Sequence, residues 1–187
     1  MNKKTLTLTE EQYTEIIDAM KTGFSGSRPS SHIATALIIE VNLGLRISDI
    51  LKLRLNDIVR DGDRYRLDIT EQKTGKRRTF TVPAIIYNHI KMYVLENGVK
   101  PHEIIFPLTE RAVQHRLKIV CDYLGLEGIS THSFRKFFAT QIYVNNDYNV
   151  VLVQQLLQHS TPAVTQKYIG IQPQQIENAL NKHNYWK

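Results

Sequence analysis

Tyr65-Arg66-Leu67-Asp68-Ile69-Thr70-Glu71-Gln72-Lys73-Thr74-Gly75-Lys76-Arg77-Arg78-Thr79-Phe80-Thr81-Val82-Pro83 is the stretch in which the hydrophobic period switches from helical to alternating. Tyr65, Leu67 and Ile69 alternate with polar or charged neighbours, as do Phe80 and Val82, which is the two-residue period of a half-buried strand. Thr74-Gly75 and, upstream, Asp61-Gly62 are two-residue turn signals. The spacing therefore predicts a three-stranded antiparallel meander between Asp57 and Pro83, with Lys73 at the mouth of its second hairpin.

On both sides of this segment the apolar period is helical. Thr9 and Gln12 form a capping box, and Tyr13, Ile16, Ile17 and Met20 then recur at helical spacing until Gly23, predicting a helix over about 10–22. A loop rich in serine and glycine leads to a second helix over about 32–42, apolar nearly all round and so expected in the core. Gly44 ends it, and Ser48 is placed to cap a short helix through Leu53. Helices are predicted again over about 84–96, 110–124, 133–145, 150–158 and 161–169. A final amphipathic helix, about 173–183, carries Ile176, Ala179 and Leu180. The fold class is mainly α with a small three-stranded antiparallel β-sheet, and with no repeat or long linker the chain is expected to form a single domain.

The 187 residues, 42% hydrophobic and 22% charged, suffice for a buried core and exclude a disordered or collagenous chain. Twenty-four Lys and Arg against 18 Asp and Glu give a formal charge of +6, which favours a polyanionic partner such as nucleic acid. The single cysteine, Cys121, excludes an internal disulfide and a cysteine-based zinc cluster, and it suits a reducing compartment. The apolar stretch from Ala34 to Leu45 is interrupted by Glu40, Asn42 and Gly44, well short of the roughly 20 residues of a membrane helix. A soluble, cytoplasmic protein is expected.

Four short segments carry chemistry. In Gly44-Leu45-Arg46-Ile47-Ser48-Asp49, Arg46 either forms a structural salt bridge with Asp49 at a helix junction or offers a rigid guanidinium to a phosphate, which its planar fork grips in two places. Lys73-Thr74-Gly75-Lys76-Arg77-Arg78 is either a solvated basic turn or a hairpin that brings the Lys73 ammonium to a leaving oxygen. In Thr131-His132-Ser133-Phe134-Arg135, His132 and Arg135 share a helix face, with Phe134, Phe137 and Phe138 on the apolar side. Leu156-Leu157-Gln158-His159-Ser160 precedes Gln166-Lys167-Tyr168, where a tyrosine near a helix end is ordinarily a packing residue.

Their order, Arg, Lys, His-x-x-Arg, His and Tyr, each on the right kind of element, resembles the catalytic domain of the tyrosine recombinase or phage integrase family over essentially the whole chain. The resemblance implies that Tyr168 is a nucleophile that leaves a 3′-phosphotyrosyl enzyme and a free 5′-hydroxyl. It implies that Arg46 and Arg135 bind the non-bridging phosphate oxygens and that Lys73 protonates the departing 5′-oxygen. His132 would help to remove the tyrosine proton, His159 would hydrogen-bond the phosphate, and Asp49 would anchor Arg46 or His132 from behind. Lys76, Arg77, Arg78, Arg111 and His115 are candidate contacts to double-stranded DNA. Neither a metal nor ATP is implied, and the sequence carries no Walker-type glycine loop and no acidic metal cluster.

The resemblance further implies self-association on paired DNA sites as a tetramer, through the apolar face of the last helix, and a nucleoid-associated location in a bacterial or phage setting. Two departures stand out. Gln158 occupies the position before His159 where members commonly have glycine, and the N-terminal core-binding domain usual in full-length relatives is expected to be absent. A type IB topoisomerase shares the same chemistry, and a catalytically silent DNA-binding regulator would share the fold.

Overall fold

The computed structural model describes residues 5–169 together with 180, 181 and 183. The chain divides into two compact units, residues 1–138 and 139–187, and the division falls within a helix rather than in a loop.

In the first unit, α1 (Glu10–Thr22) starts at the predicted capping box: Thr9 Oγ1 accepts the Gln12 N–H and Gln12 Oε1 accepts the Thr9 N–H, both at 3.1 Å. Its Ile16, Ile17 and Met20 are buried and pack toward α2 (Ser31–Leu43), whose Ala34, Leu37, Ile39 and Leu43 fill the core. The short α3 (Ile47–Ile50) begins two residues earlier than a Ser48 cap would place it and ends before the expected Leu53. Arg46 takes the N-cap position and no side chain caps it, so Ser48 lies inside the first turn.

A 3₁₀ turn over Leu55–Asp57 leads into β1 (Ile58–Asp61), β2 (Arg64–Thr70) and β3 (Arg77–Val82), an antiparallel sheet in the order β1-β2-β3. Asp61 pairs with Arg64, so the two-residue turn is Gly62-Asp63, one position after the Asp61-Gly62 signal, with Gly62 at φ 61° as its first central residue requires. The second connection is longer than the Thr74-Gly75 signal suggests. Glu71 N–H donates to Lys76 O at 3.0 Å and Gly75 N–H to Glu71 O at 2.9 Å, which encloses four residues, Gln72 to Gly75.

Cross-strand partners share a face of the sheet. Ile58 faces Leu67, Leu67 faces Phe80, Tyr65 faces Val82 and Ile69 faces Arg78, so the face that buries Leu67 and Val82 also carries Arg78 inward. The helix α4 (Ala84–Glu96) covers this sheet, with Tyr87 stacked on Tyr65 at 3.7 Å between ring centroids. α5 (Glu110–Tyr123) is capped by Thr109 and buries Val113, Leu117 and Val120. α6 (Thr131–Asn145) enters the core through Phe134 and Phe137, which meet Tyr13 of α1 edge-on and stacked respectively.

Gly44 is required by backbone and packing together. It holds φ 58° at the end of α2, and a Cβ there would collide with the Phe138 ring. Left-handed backbone costs an alanine roughly 1 kcal/mol and overpacking a core typically adds about 1–3 kcal/mol. Gly44→Ala is therefore expected to lower stability by about 2–4 kcal/mol, read as a fall in the urea midpoint with an unchanged slope.

In the second unit, Asn149 Oδ1 accepts the Leu152 N–H to cap α7 (Val150–Leu157), and α7 packs on α8 (Pro162–Ile169). The predicted last helix, 173–183, lies outside the described residues except for 180, 181 and 183. Among the described residues, no helix is long and apolar enough to cross a membrane.

Candidate active site

Arg46 leaves the Gly44 turn with its side chain 17% exposed and places Nη1 2.6 Å from Glu71 Oε2. Glu71 is 1% exposed and is the hub of the site. Its Oε1 accepts Arg78 Nη1 at 3.0 Å, and Oε2 also accepts Thr74 Oγ1 at 2.9 Å. Burial by itself would raise the Glu71 pKa, but the hydrogen bonds from Arg46, Arg78 and Thr74 outweigh it and hold the carboxyl below its ordinary value. Glu71 is thus a carboxylate around neutral pH.

Arg78 continues the chain of bonds. Its Nη2 donates to the carbonyls of Leu43 (3.4 Å) and Gly44 (3.3 Å), and its guanidinium lies 4.9 Å from the Phe80 ring centroid. Burial, then the positive charge of Arg135, lower its pKa to about 10 against the pull of Glu71. Arg135, buried on α6, donates from Nη1 to the same Gly44 oxygen at 2.7 Å. A continuous path of hydrogen bonds therefore joins Arg46 to Arg135, through Glu71, Arg78 and the Gly44 carbonyl, across 89 residues of sequence (135 − 46).

Within that path two guanidiniums, Arg46 and Arg78, share the Glu71 carboxylate, and Arg135 adds a third positive charge. Burial of Glu40 on α2 raises its pKa well above the ordinary carboxylate value, against the Arg135 charge and the Ile47 N–H that lower it. An excess of fixed positive charge with little solvent around it suits an anion such as phosphate. His132 responds to the same field. Partial burial of its ring, then the charges of Arg135, Lys73, Arg46 and Lys136, lower its pKa below the ordinary histidine value. The imidazole is neutral at pH 7 and free to accept a proton.

That shift carries a sign for stability. Folded His132 takes its proton at a lower pH than the unfolded chain, whose histidine titrates near 6.5, so below about pH 6.5 the unfolded state binds more protons and stability falls as pH falls. His132→Gln is expected to flatten the decline in melting temperature between about pH 7 and pH 5.5; an unchanged slope would show that the ring is not held neutral.

The structure thus gathers Arg46, Lys73, His132 and Arg135 within the first unit. In the second unit, His159 and Tyr168 are neighbours, their ring centroids 5.1 Å apart and nearly perpendicular. His159 Nδ1 shares a hydrogen bond of 3.0 Å with Thr165 Oγ1, and its N–H and carbonyl are both held by Gln154. Gln158 ends α7 at φ 54° and ψ 37°, the left-handed conformation that glycine adopts without strain. Gln158 therefore takes here a backbone conformation that a glycine would adopt freely.

Two expectations are corrected. Arg78 is no DNA contact: at 1% exposure its side chain is inside, paired with Glu71, because residues 78, 80 and 82 alternate onto the buried face of β3. Asp49 does not hold Arg46 in the hydrogen bonds present; its Oδ1 accepts the Gln72 N–H at 2.9 Å, fixing the strand end beside Glu71. Lys76 and Arg77 are exposed as expected, with the Arg77 fork on Asp68, and Arg111 and His115 lie exposed one turn apart on α5. Glu71 and Glu40 are buried acids beside these arginines that the sequence analysis did not single out. Glu71 continues the inward parity of 65, 67 and 69, and Glu40 is the lone acid in an apolar helix, so both signals were present.

Comparison with known proteins places this geometry in context. The profile of the phage integrase family matches residues 7–175. The chain is 32% identical over 141 residues to the probable integrase/recombinase YoeC of Bacillus subtilis, covering 72% of this chain and 75% of that one. It is 29% identical over 154 residues to the tyrosine recombinase XerC of Caldanaerobacter subterraneus, covering 76% of this chain but 42% of the relative. Among solved structures, the XerH site-specific recombinase bound to palindromic difH substrate superposes with a TM-score of 0.74 at 22% identity, over 96% of this chain and 53% of that one. The catalytic domain of bacteriophage HP1 integrase superposes with a TM-score of 0.66 at 19% identity, over 96% of both chains. The chain therefore spans about half the length of the Xer recombinases that it matches.

Proposed function

From the membership of this chain in the phage integrase family, we propose that it is the catalytic domain of a tyrosine recombinase, breaking and rejoining double-stranded DNA at specific sites. The Tyr168 Oη attacks the scissile phosphorus, the new Oη–P bond replaces the P–O5′ bond, and a 3′-phosphotyrosyl enzyme and a 5′-hydroxyl result. Neutral His132 takes the phenolic proton, and Lys73 supplies the proton that the departing O5′ needs. Arg46 and Arg135 meet the non-bridging oxygens, whose charge grows in the pentacoordinate transition state, and His159 donates to one of them. Religation is the reverse, with the energy of the broken bond kept in the phosphotyrosine.

The observation that carries this reading is the hydrogen-bonded path from Arg46 to Arg135, with its shared carboxylate and with Lys73 and His132 in its field. Rigid donors of that kind stabilise developing charge without reorganising during reaction. Lys76, Arg77, Arg111 and His115 supply contacts along the DNA, and paired sites assemble four copies, in the cytoplasm and on the nucleoid.

The test is incubation with nicked suicide duplexes drawn from the genomic neighbourhood of the coding sequence. A covalent protein–DNA band on a denaturing gel, with the mass of the adduct mapped to the Tyr168 peptide, supports the reading. Relaxation of supercoiled plasmid without site preference points instead to a type IB topoisomerase, and no adduct on any duplex points to a silent DNA-binding protein.

A further inference from the structure

The turn that carries Lys73 is tied to Arg46 through a single oxygen atom. Glu71 Oε2 accepts Arg46 Nη1 at 2.6 Å and Thr74 Oγ1 at 2.9 Å, while Glu71 Oε1 is occupied by Arg78. The Thr74 hydroxyl also accepts the Lys76 N–H at 3.3 Å, and the Glu71 and Gly75 N–H groups close the same turn on Lys76 O and Glu71 O. Lys73 itself is exposed, so its position is set by the backbone of this turn and by Thr74 beside it. The oxygen that orients a guanidinium for the phosphate thus also orients the turn bearing the ammonium.

We propose that Thr74 and Glu71 are positioning residues that hold the Lys73 ammonium at a fixed offset from Arg46, so that the proton donor meets the leaving oxygen of the same phosphate that Arg46 grips. This rests on the recombinase reading above. Thr74 acts chiefly on the turn of Lys73, because its hydroxyl accepts the Lys76 N–H of that turn and joins it to Glu71. Glu71 acts on both, because it also holds Arg46 and Arg78. General-acid catalysis by a positioned side chain is typically worth about 10²–10⁴-fold, and a donor that is present but less well placed forfeits part of it.

The two roles separate on a substrate whose leaving group needs no proton. With sulfur in place of the bridging O5′, the P–S bond breaks and a thiolate departs unprotonated, since a thiol is far more acidic than an alcohol. The experiment measures single-turnover cleavage by the parent protein, Thr74→Val, Thr74→Ser and Glu71→Gln, on the suicide duplex that gives the parent adduct, with either O5′ or S5′ at the scissile position. Thr74→Val is expected to be slowed about tenfold or more on the oxygen substrate and to match the parent on the sulfur substrate, with Thr74→Ser restoring the oxygen rate. Glu71→Gln, where it folds, is expected to be slow on both.

Thr74 lies on an exposed turn and is no part of the buried core, so Thr74→Val is expected to fold, with the lost hydrogen bond to Glu71 read as a modest fall in melting temperature. Parent-like cleavage of the oxygen substrate by Thr74→Val overturns the proposal, and so does equal slowing on oxygen and sulfur, which would divorce Thr74 from the proton donor. Absence of any adduct from the parent overturns the recombinase reading and this proposal with it; an adduct from a parent whose Thr74→Val variant is unimpaired overturns this proposal alone.

Discussion

Tyr168→Phe is expected to abolish the covalent adduct, lowering cleavage on the order of 10³-fold or more while leaving DNA affinity and melting temperature close to the parent's. The substitution deletes one oxygen and keeps the ring against His159, so the packing of α8 on α7 is retained. The loss is large because no neighbouring group replaces a nucleophile in an in-line displacement. Peptide mapping of any residual adduct decides the matter: a phosphotyrosyl species on the Phe variant would move the nucleophile elsewhere.

Arg46→Ala is expected to slow cleavage about 10²–10³-fold, the usual cost of removing one preorganised donor from a developing oxyanion. Its effect on folding should be small by comparison, since Glu71 keeps Arg78 and Thr74 as partners and so is not left as a bare buried charge. Arg46→Lys should recover little, because a point charge on a flexible stem cannot reproduce a planar fork. Arg135→Ala is different in kind. It empties a buried position and removes a donor from the Gly44 carbonyl, so its loss of activity should come with a lowered melting temperature. Single-turnover rates and thermal melts on the two variants separate these outcomes; equal melting temperatures would place Arg135 on the surface rather than in the core.

Much of this was legible before any coordinates. The Thr9 and Gln12 capping box, the alternation of residues 65–69 and 80–82, the Asp61-Gly62 signal and the helix over 84–96 all involve residues within a few positions of one another. Their physics is local, set by hydrogen bonds to the next turn, by allowed φ and ψ, and by which face an apolar side chain takes. Membership of the phage integrase family was legible too, from the order in which Arg46, Lys73, His132, Arg135, His159 and Tyr168 occur, and the family profile matches the chain. The inward course of Arg78 was written in the same alternation, and a reading by basic composition alone put it on the surface.

The tertiary structure alone decided which groups hold the arginines. Asp49 is three residues from Arg46, the acid nearest to it in sequence, yet its carboxylate turns to the Gln72 N–H, while Glu71, 25 residues away, takes the guanidinium. Equally, no local pattern shows that Gly44 lends its carbonyl to both Arg78 and Arg135, or that burial raises the pKa of Glu40 beside Arg135. The physical reason is that ion pairing in a protein interior follows shared desolvation rather than separation along the chain. A carboxylate buried with two guanidiniums recovers in three hydrogen bonds what it lost in hydration, and only the packing of the sheet against the end of α2 determines which carboxylate that is.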